Sequence, residues 1–311
     1  MYTTLISASQ LQTLLASGQP VMVFDCSFEL MTPEAGDQQY QQAHIAGAVR
    51  ADLDRHLSAH GAPDAASGGR HPLPGRETFA AWLGSLGFDN TMQAVVYDRQ
   101  GANYCGRLWW MLKWAGHEAV AVLDGGLQAW TDQGGATQCH PHPSPLPKGE
   151  GEDSLAGASG LSHLKSLPKG ERVVNFELAN ARAALLTTPT LAKQLGRPAQ
   201  TILDARATPR FRGEIEPLDP VAGHIPGALN RPFNLNLDES GKFKTPDQLK
   251  TEFEALLAGR DPASVVHHCG SGVSAIPNII AMEVAGLGRT ALYAGSWSEW
   301  CSDPARPMAQ G

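Results

Sequence analysis

Short apolar runs alternate with amphipathic stretches along most of this chain. VMVFD (21–25), AVVYD (94–98), ILD (202–204) and SVVHH (264–268) have the character of short buried strands. TFAAWLGSLG (78–87), GRLWWMLKWAG (106–116) and PDQLKTEFEALLAG (246–259) place apolar residues near helical spacing, and each ends in a glycine where a C-terminal cap belongs. IPNIIAMEVAG (276–286) reads as another helix, with Pro277 tolerable only in its first turn. Strands alternating with helices predict the α/β class, a mainly parallel sheet with helices on both faces.

The pattern occurs twice. VMVFDCSFELMTPEAGDQQYQQAHIAGAV (21–49) and ILDARATPRFRGEIEPLDPVAGHIPGAL (202–229) each open with an apolar strand ending in aspartate, Asp25 and Asp204. Each continues through a polar loop of about 19 residues to His-Ile-x-Gly-Ala, at His44 and His224. AVVYD then matches SVVHH, and LDGGLQAW (123–130) matches LYAGSWSEW (292–300). Four landmarks in one order indicate a tandem duplication. The expected domains are 1–138 and 173–311. Between them, 139–172 is rich in Pro, Gly, Ser and Lys, contains LPKGE twice, and reads as a flexible linker or insertion.

Composition narrows the function. With 42% apolar residues, the chain can fill two cores. A net charge of −7 argues against a general nucleic-acid binder. No run of 18 apolar residues suggests a membrane span, and the N-terminal stretch lacks the basic start of a signal peptide. Five cysteines are scattered singly without a CxxC pair, so neither a disulfide framework nor a zinc ribbon is indicated; a reducing cytoplasm is the expected setting.

One of these cysteines stands apart. Cys269 ends the 264–268 strand, where parallel sheets place ligands, and is followed by Gly270, Ser271, Gly272, Val273 and Ser274 before a helix starts. A cysteine at a strand end is either core packing or a nucleophile. The Gly-x-Gly turn favours the second reading, because loop N–H groups and a helix start would face the sulfur and stabilise a thiolate or a persulfide. Ser271 and Ser274 add hydroxyl donors.

The tandem halves with HIPGA, the CGSGVSA loop and the closing GSWSEW resemble the two-domain rhodanese-like sulfurtransferases. The loop is similar to the CGSGVTA signature of the 3-mercaptopyruvate branch, with Ser274 in place of Thr. Thiosulfate-preferring relatives carry Arg and Lys where this chain has Gly270 and Ser271. The resemblance implies two five-stranded parallel sheets with one catalytic domain, the C-terminal one. In the matching N-terminal loop Arg99 is expected near the nucleophile's place, with Cys105 further on beside Arg107 and no second nucleophile.

It also implies a Ser-His-Asp relay, which maps onto Ser271, His71 in RHPLPG and Asp54 in ADLDRH. A carboxylate-bearing donor requires arginine. The family's first substrate arginine maps to Arg210. Its second, in Glu-Pro-Arg, is missing, since the chain reads Glu216-Pro217-Leu218; Arg212 and Arg107 are the candidate replacements. His44, His224, Asp25 and Asp204 recur in both halves and read as structural. His267 and His268 alternate faces on their strand and do not form a metal site. His268 stands close enough to help a thiolate, and Trp297 is expected either at the pocket wall or in the core.

The implied reaction is sulfur transfer from 3-mercaptopyruvate through a Cys269 persulfide to a thiol, thioredoxin or cyanide, with no cofactor. Thiosulfate is the alternative donor. A cysteine phosphatase would need arginine six residues after the cysteine, where this chain has Ala275. A non-catalytic binding module is opposed by the intact cysteine loop.

Overall fold

The computed structural model describes residues 1–139 and 176–311. The 140–172 part of the expected linker lies outside the described residues. The first half runs β1 (Leu5–Ile6), α1 (Ala8–Ala16), β2 (Val21–Asp25), α2 (Ala35–Gln42), β3 (His44–Ile45), β4 (Val49–Arg50), α3 (Arg76–Ser85), β5 (Gln93–Tyr97), α4 (Cys105–Trp114), β6 (Val120–Leu123), α5 (Gly126–Asp132) and β7 (Thr137–Gln138). The second runs β8 (Ala184–Leu185), α6 (Thr188–Gln194), β9 (Thr201–Asp204), α7 (Thr208–Arg212), β10 (Leu229–Asn230), α8 (Pro246–Leu257), β11 (Val265–His268), α9 (Ile276–Val284), β12 (Ala291–Leu292) and α10 (Ser296–Trp300).

Each half builds a five-stranded parallel sheet. The strand order is β1-β6-β5-β2-β4 in one and β8-β12-β11-β9-β10 in the other, the same path twice. A small antiparallel β3–β7 ribbon closes the first half. The duplicated histidines do the same structural work in both copies. His44 stacks on Tyr40 and its Nδ1 lies 2.7 Å from the Tyr40 carbonyl. His224 stacks on Phe211 and its Nδ1 lies 2.9 Å from the Phe211 carbonyl.

Register places the nucleophile's counterpart one residue from where the apolar runs suggested. Asp25 pairs with Tyr97 and Asp204 with His268, so Asp98, not Arg99, is equivalent to Cys269. α4 starts seven residues after Asp98, and α9 seven residues after Cys269. The runs AVVYD and SVVHH are equally apolar in either alignment, so their letters do not determine pairing to one residue.

The halves share one core. α4 is buried along its whole length, because its own sheet covers one side and the second half the other. Its Gly106 sits so close to α9 that an added Cβ would lie 3.1 Å from Ile276 Cγ2. The described chain re-enters against the first half. Phe176 stacks on Phe88, Ala179 N–H donates to the Ala115 carbonyl and Arg182 N–H to that of Lys113. Only at β8 does it join the second sheet. No described helix is long and apolar enough to cross a membrane.

Candidate active site

Cys269 leaves the carboxyl end of β11 at the centre of its sheet and reaches a cavity of about 220 Å³ between the halves. It is only 2% exposed, so reagents meet it through that cavity. Its N–H donates to Ser296 Oγ at 3.1 Å, and its carbonyl accepts from Trp297 N–H at 3.0 Å. Ser296 holds a left-handed φ of +55°, a strain of about 1 kcal/mol for a side-chain-bearing residue. The GSW segment therefore supports the loop from beneath. Trp297 is fully buried, with its indole N–H on the Val221 carbonyl, and belongs to the core rather than the cavity wall.

The loop's glycines answer to close approaches. Gly272 has φ +75°, and a Cβ there would fall 2.2 Å from the Ala294 carbonyl oxygen. A Cβ on Gly270 would meet Arg70 Nη2 at 3.0 Å and the Arg210 guanidinium at 3.6 Å.

The first half shows what such a loop holds. The Asp98 carboxylate accepts four backbone N–H groups, from Gln100, Ala102, Tyr104 and Cys105, at 2.8–3.0 Å. Position for position, Ser271, Val273 and Ala275 match the first three of these, and among the described residues their N–H groups have no acceptor. The Asp98 carbonyl accepts from Leu127 N–H just as that of Cys269 accepts from Trp297. One copy thus carries its anion permanently. The other presents donors at the same place to whatever Cys269 carries, which is how a nest of N–H groups binds an anion.

His71 bridges toward this loop from the first half. Its Nδ1 lies 2.7 Å from Ser271 Oγ, and its Nε2 lies 3.5 Å from Asp54 Oδ1. With Nε2 facing a carboxylate oxygen, the ring proton belongs on Nε2, and Nδ1 accepts the Ser271 hydroxyl proton. Burial, then the charges of Arg107 and Arg70, depress the His71 pKa to about 3, so the ring is neutral. Asp54 also receives His60 Nε2 at 3.1 Å. The three relay residues are together.

The arginines divide. Arg210 lines the cavity and is held by Glu216 at 2.6 Å and Asp219 at 3.3 Å. Arg212 does not reach it; its side chain is 56% exposed and pairs with Glu214. α7 is a single short helix, and two residues along it the side chain faces solvent. Arg107 does not line the cavity either. It is fully buried, and its guanidinium donates to the carbonyls of Gly272, His71 and Leu57. It braces the loop from behind. Burial lowers its pKa to about 10, opposed by the nearby Cys269 charge.

Two arginines absent from the sequence reading line the cavity. Arg206 is buried, bonded to Asp204 and stacked over Trp297. Arg70 comes from the first half and pairs with Asp219 at 2.6 Å. Its only sequence signal is that it directly precedes His71. Ser274 and Val273 also line the cavity. His268 is buried away from it between the Cys269 carbonyl and Asp204, its pKa lowered by burial. Cys26 and Cys105 are buried in the first core, their thiol pKa values pushed up by burial and neighbouring aspartates. Among the described residues, no group of three His, Cys, Asp or Glu is arranged to hold a metal.

The rhodanese-like domain family matches the chain twice, over residues 7–133 and 187–303. The chain belongs to the rhodanese-like family. It is 42% identical over 308 residues to the "Probable 3-mercaptopyruvate sulfurtransferase" of Pseudomonas aeruginosa, covering 99% of this chain and 98% of that one. It is 32% identical over 296 residues to thiosulfate/3-mercaptopyruvate sulfurtransferase 2 of Arabidopsis thaliana, covering 93% and 81%. Its fold is similar to the crystal structure of SseA from Escherichia coli, solved as a 3-mercaptopyruvate sulfotransferase, with TM-score 0.71, 29% identity, and 96% and 100% of the two chains covered. In rhodanese-like terms, both tandem domains are present, and the CGSGVSA loop belongs to the second.

Proposed function

We propose that this sulfurtransferase takes sulfur from 3-mercaptopyruvate onto Cys269 and passes it to a thiol, thioredoxin or cyanide. The observation that carries the reading is the cavity itself. It joins a strand-end cysteine, unoccupied loop N–H donors, an arginine beside Gly270 and the Ser271–His71–Asp54 chain.

In the first half-reaction the Cys269 thiolate attacks the donor sulfur and the carbon–sulfur bond breaks. The bonding pair leaves on the carbon as pyruvate enolate. The donor's thiol proton passes through Ser271 and His71 and returns to the enolate carbon, giving pyruvate. Cys269 keeps a persulfide, whose outer sulfur carries the charge that Asp98 carries in the other copy. In the second, an acceptor thiolate or cyanide attacks that outer sulfur, the S–S bond breaks and the Cys269 thiolate returns. No net oxidation occurs, and ping-pong kinetics follow.

Residues 173–311 carry the chemistry and residues 1–138 supply the opposite wall, including His71, with Asp54 behind its ring. The free cysteines fit a reducing compartment, and we assign the cytoplasm. Thiosulfate is the second reading, favoured by Leu218 where an arginine would grip a carboxylate. The test is steady-state transfer to cyanide from each donor in parallel. Higher kcat/KM with 3-mercaptopyruvate supports the proposal, and higher kcat/KM with thiosulfate overturns it.

A further inference from the structure

We propose that His60 is a positioning residue of the relay: it anchors the Asp54 carboxylate from behind, so that one oxygen stays turned to His71. This deepens the 3-mercaptopyruvate reading and rests on it, because a thiol donor brings the proton that the relay carries.

Asp54 needs an anchor. Among the described residues its carboxylate accepts no backbone N–H, unlike that of Asp98. Its two partners are imidazoles, and both meet the same oxygen: His60 Nε2 lies 3.1 Å from Oδ1 and His71 Nε2 lies 3.5 Å from it. The Asp54 side chain is 33% exposed and lines a second cavity of about 360 Å³, which neither His71 nor Cys269 lines. A carboxylate at the edge of such a space can turn into water, where solvent screens its pull on His71. The His60 bond, the shorter of the two, holds it back.

The contacts run outward from the site. His71 lines the Cys269 cavity, and Asp54 and His60 line the second one. The His60 and His71 rings stand 6.0 Å apart, edge to face, and share the one oxygen. With Asp54 fixed, His71 keeps its proton on Nε2 and offers Nδ1 to Ser271 as acceptor. With Asp54 loose, the ring can take the other tautomer, in which Nδ1 already carries a proton and accepts none.

The backbone delivers His60 to this place. Ala59 N–H, just before it, donates at 2.9 Å to the carbonyl of Pro72, just after His71. Ala66 N–H donates to the Leu73 carbonyl at 2.8 Å, and the Arg107 guanidinium joins the carbonyls of Leu57 and His71. The segment bearing His60 is thereby tied to the segment bearing His71 on both sides of the histidine. Gly61 holds a left-handed φ of +69° and turns the chain directly after His60. Such outer support is what keeps a catalytic group in its productive geometry.

The experiment compares the full chain as wild type, His60→Ala, His60→Gln, Asp54→Asn and the double variant His60→Ala with Asp54→Asn. One readout is the split of kcat and KM for 3-mercaptopyruvate with saturating cyanide. The other is the His71 tautomer at neutral pH, read from imidazole nitrogen NMR shifts and assigned by the signals lost in His71→Gln; it needs no turnover. His60→Ala is expected to lower kcat about tenfold with KM within about twofold, and to move part of the His71 proton from Nε2 to Nδ1. Glutamine places a side-chain N–H where Nε2 stood, so His60→Gln should recover kcat to within about threefold of wild type. In the Asp54→Asn background, loss of His60 should change kcat less than about twofold, since the group it positions is gone. Wild-type kcat and tautomer in His60→Ala overturn the inference, as does a rise in KM alone or an undiminished His60 effect in the Asp54→Asn background. If Asp54→Asn itself keeps wild-type kcat and tautomer, the relay falls and the inference with it. If wild type turns over thiosulfate only, the donor reading fails by itself. A tautomer shift in His60→Ala then still supports the anchor, and an unchanged tautomer rejects it.

Discussion

Asp98 and Cys269 occupy the same point in two copies of one fold, each just past the central strand of its sheet, with its carbonyl bound by the start of the last helix of its half. One is a permanent carboxylate with four N–H partners. The other is a thiol facing equivalent donors. Duplication has left one loop as a filled anion nest and the other as one that fills during reaction.

Asp98→Ala should therefore cost stability rather than chemistry. It leaves several buried N–H groups without an acceptor, and the expected loss is about 2–4 kcal/mol in urea unfolding. A loss below about 0.5 kcal/mol would contradict the nest.

His71 makes the protein acid-sensitive. Its pKa of about 3 in the fold lies below the unfolded value of 6.5, so the unfolded chain binds more protons between those limits. Stability then falls as pH drops from 6.5 toward 3. Between pH 7 and 5 the His71 contribution is about 2 kcal/mol. His71→Gln should flatten that part of the slope in unfolding measured at the two pH values. The same variant should lower kcat about 100-fold, the usual scale for a lost proton carrier, with KM little changed.

Arg107 is a cation held by three carbonyls with the Cys269 charge nearby. Arg107→Met keeps bulk and removes charge. Its expected effect is a shift to higher pH in the iodoacetamide alkylation profile of Cys269. An unshifted profile would show that Arg107 only braces the loop.

Cys105→Ser should leave turnover within about twofold of wild type. Its thiol is buried in the first core, its pKa is raised, and it takes no part in lining the Cys269 cavity. A large loss would contradict the reading of a single active domain.

Much of this was legible in the chain because it depends on order and period. Strand-helix alternation and the repeated landmarks led to two parallel sheets, and the Gly-Ser-Gly after a strand pointed to Cys269. What sequence did not show depends on packing between halves. Arg70 reaches the site only because Gly68 and Gly69 dock on α10, a contact between residues more than 220 positions apart. Arg107 was a candidate replacement for the family arginine missing at Leu218, but total burial of α4 turns it onto backbone carbonyls instead. Asp98 was displaced by one residue because apolar letters do not specify register.

The central claim is that Cys269 carries the transferred sulfur. The most direct measurement is the intact mass of the protein after incubation with 3-mercaptopyruvate and no acceptor, with the modified peptide mapped and Cys269→Ser run alongside. The account predicts a gain of one sulfur atom on the peptide holding Cys269, its removal by cyanide, and no gain in the variant. Sulfur on another cysteine, or turnover that survives in Cys269→Ser, would contradict it.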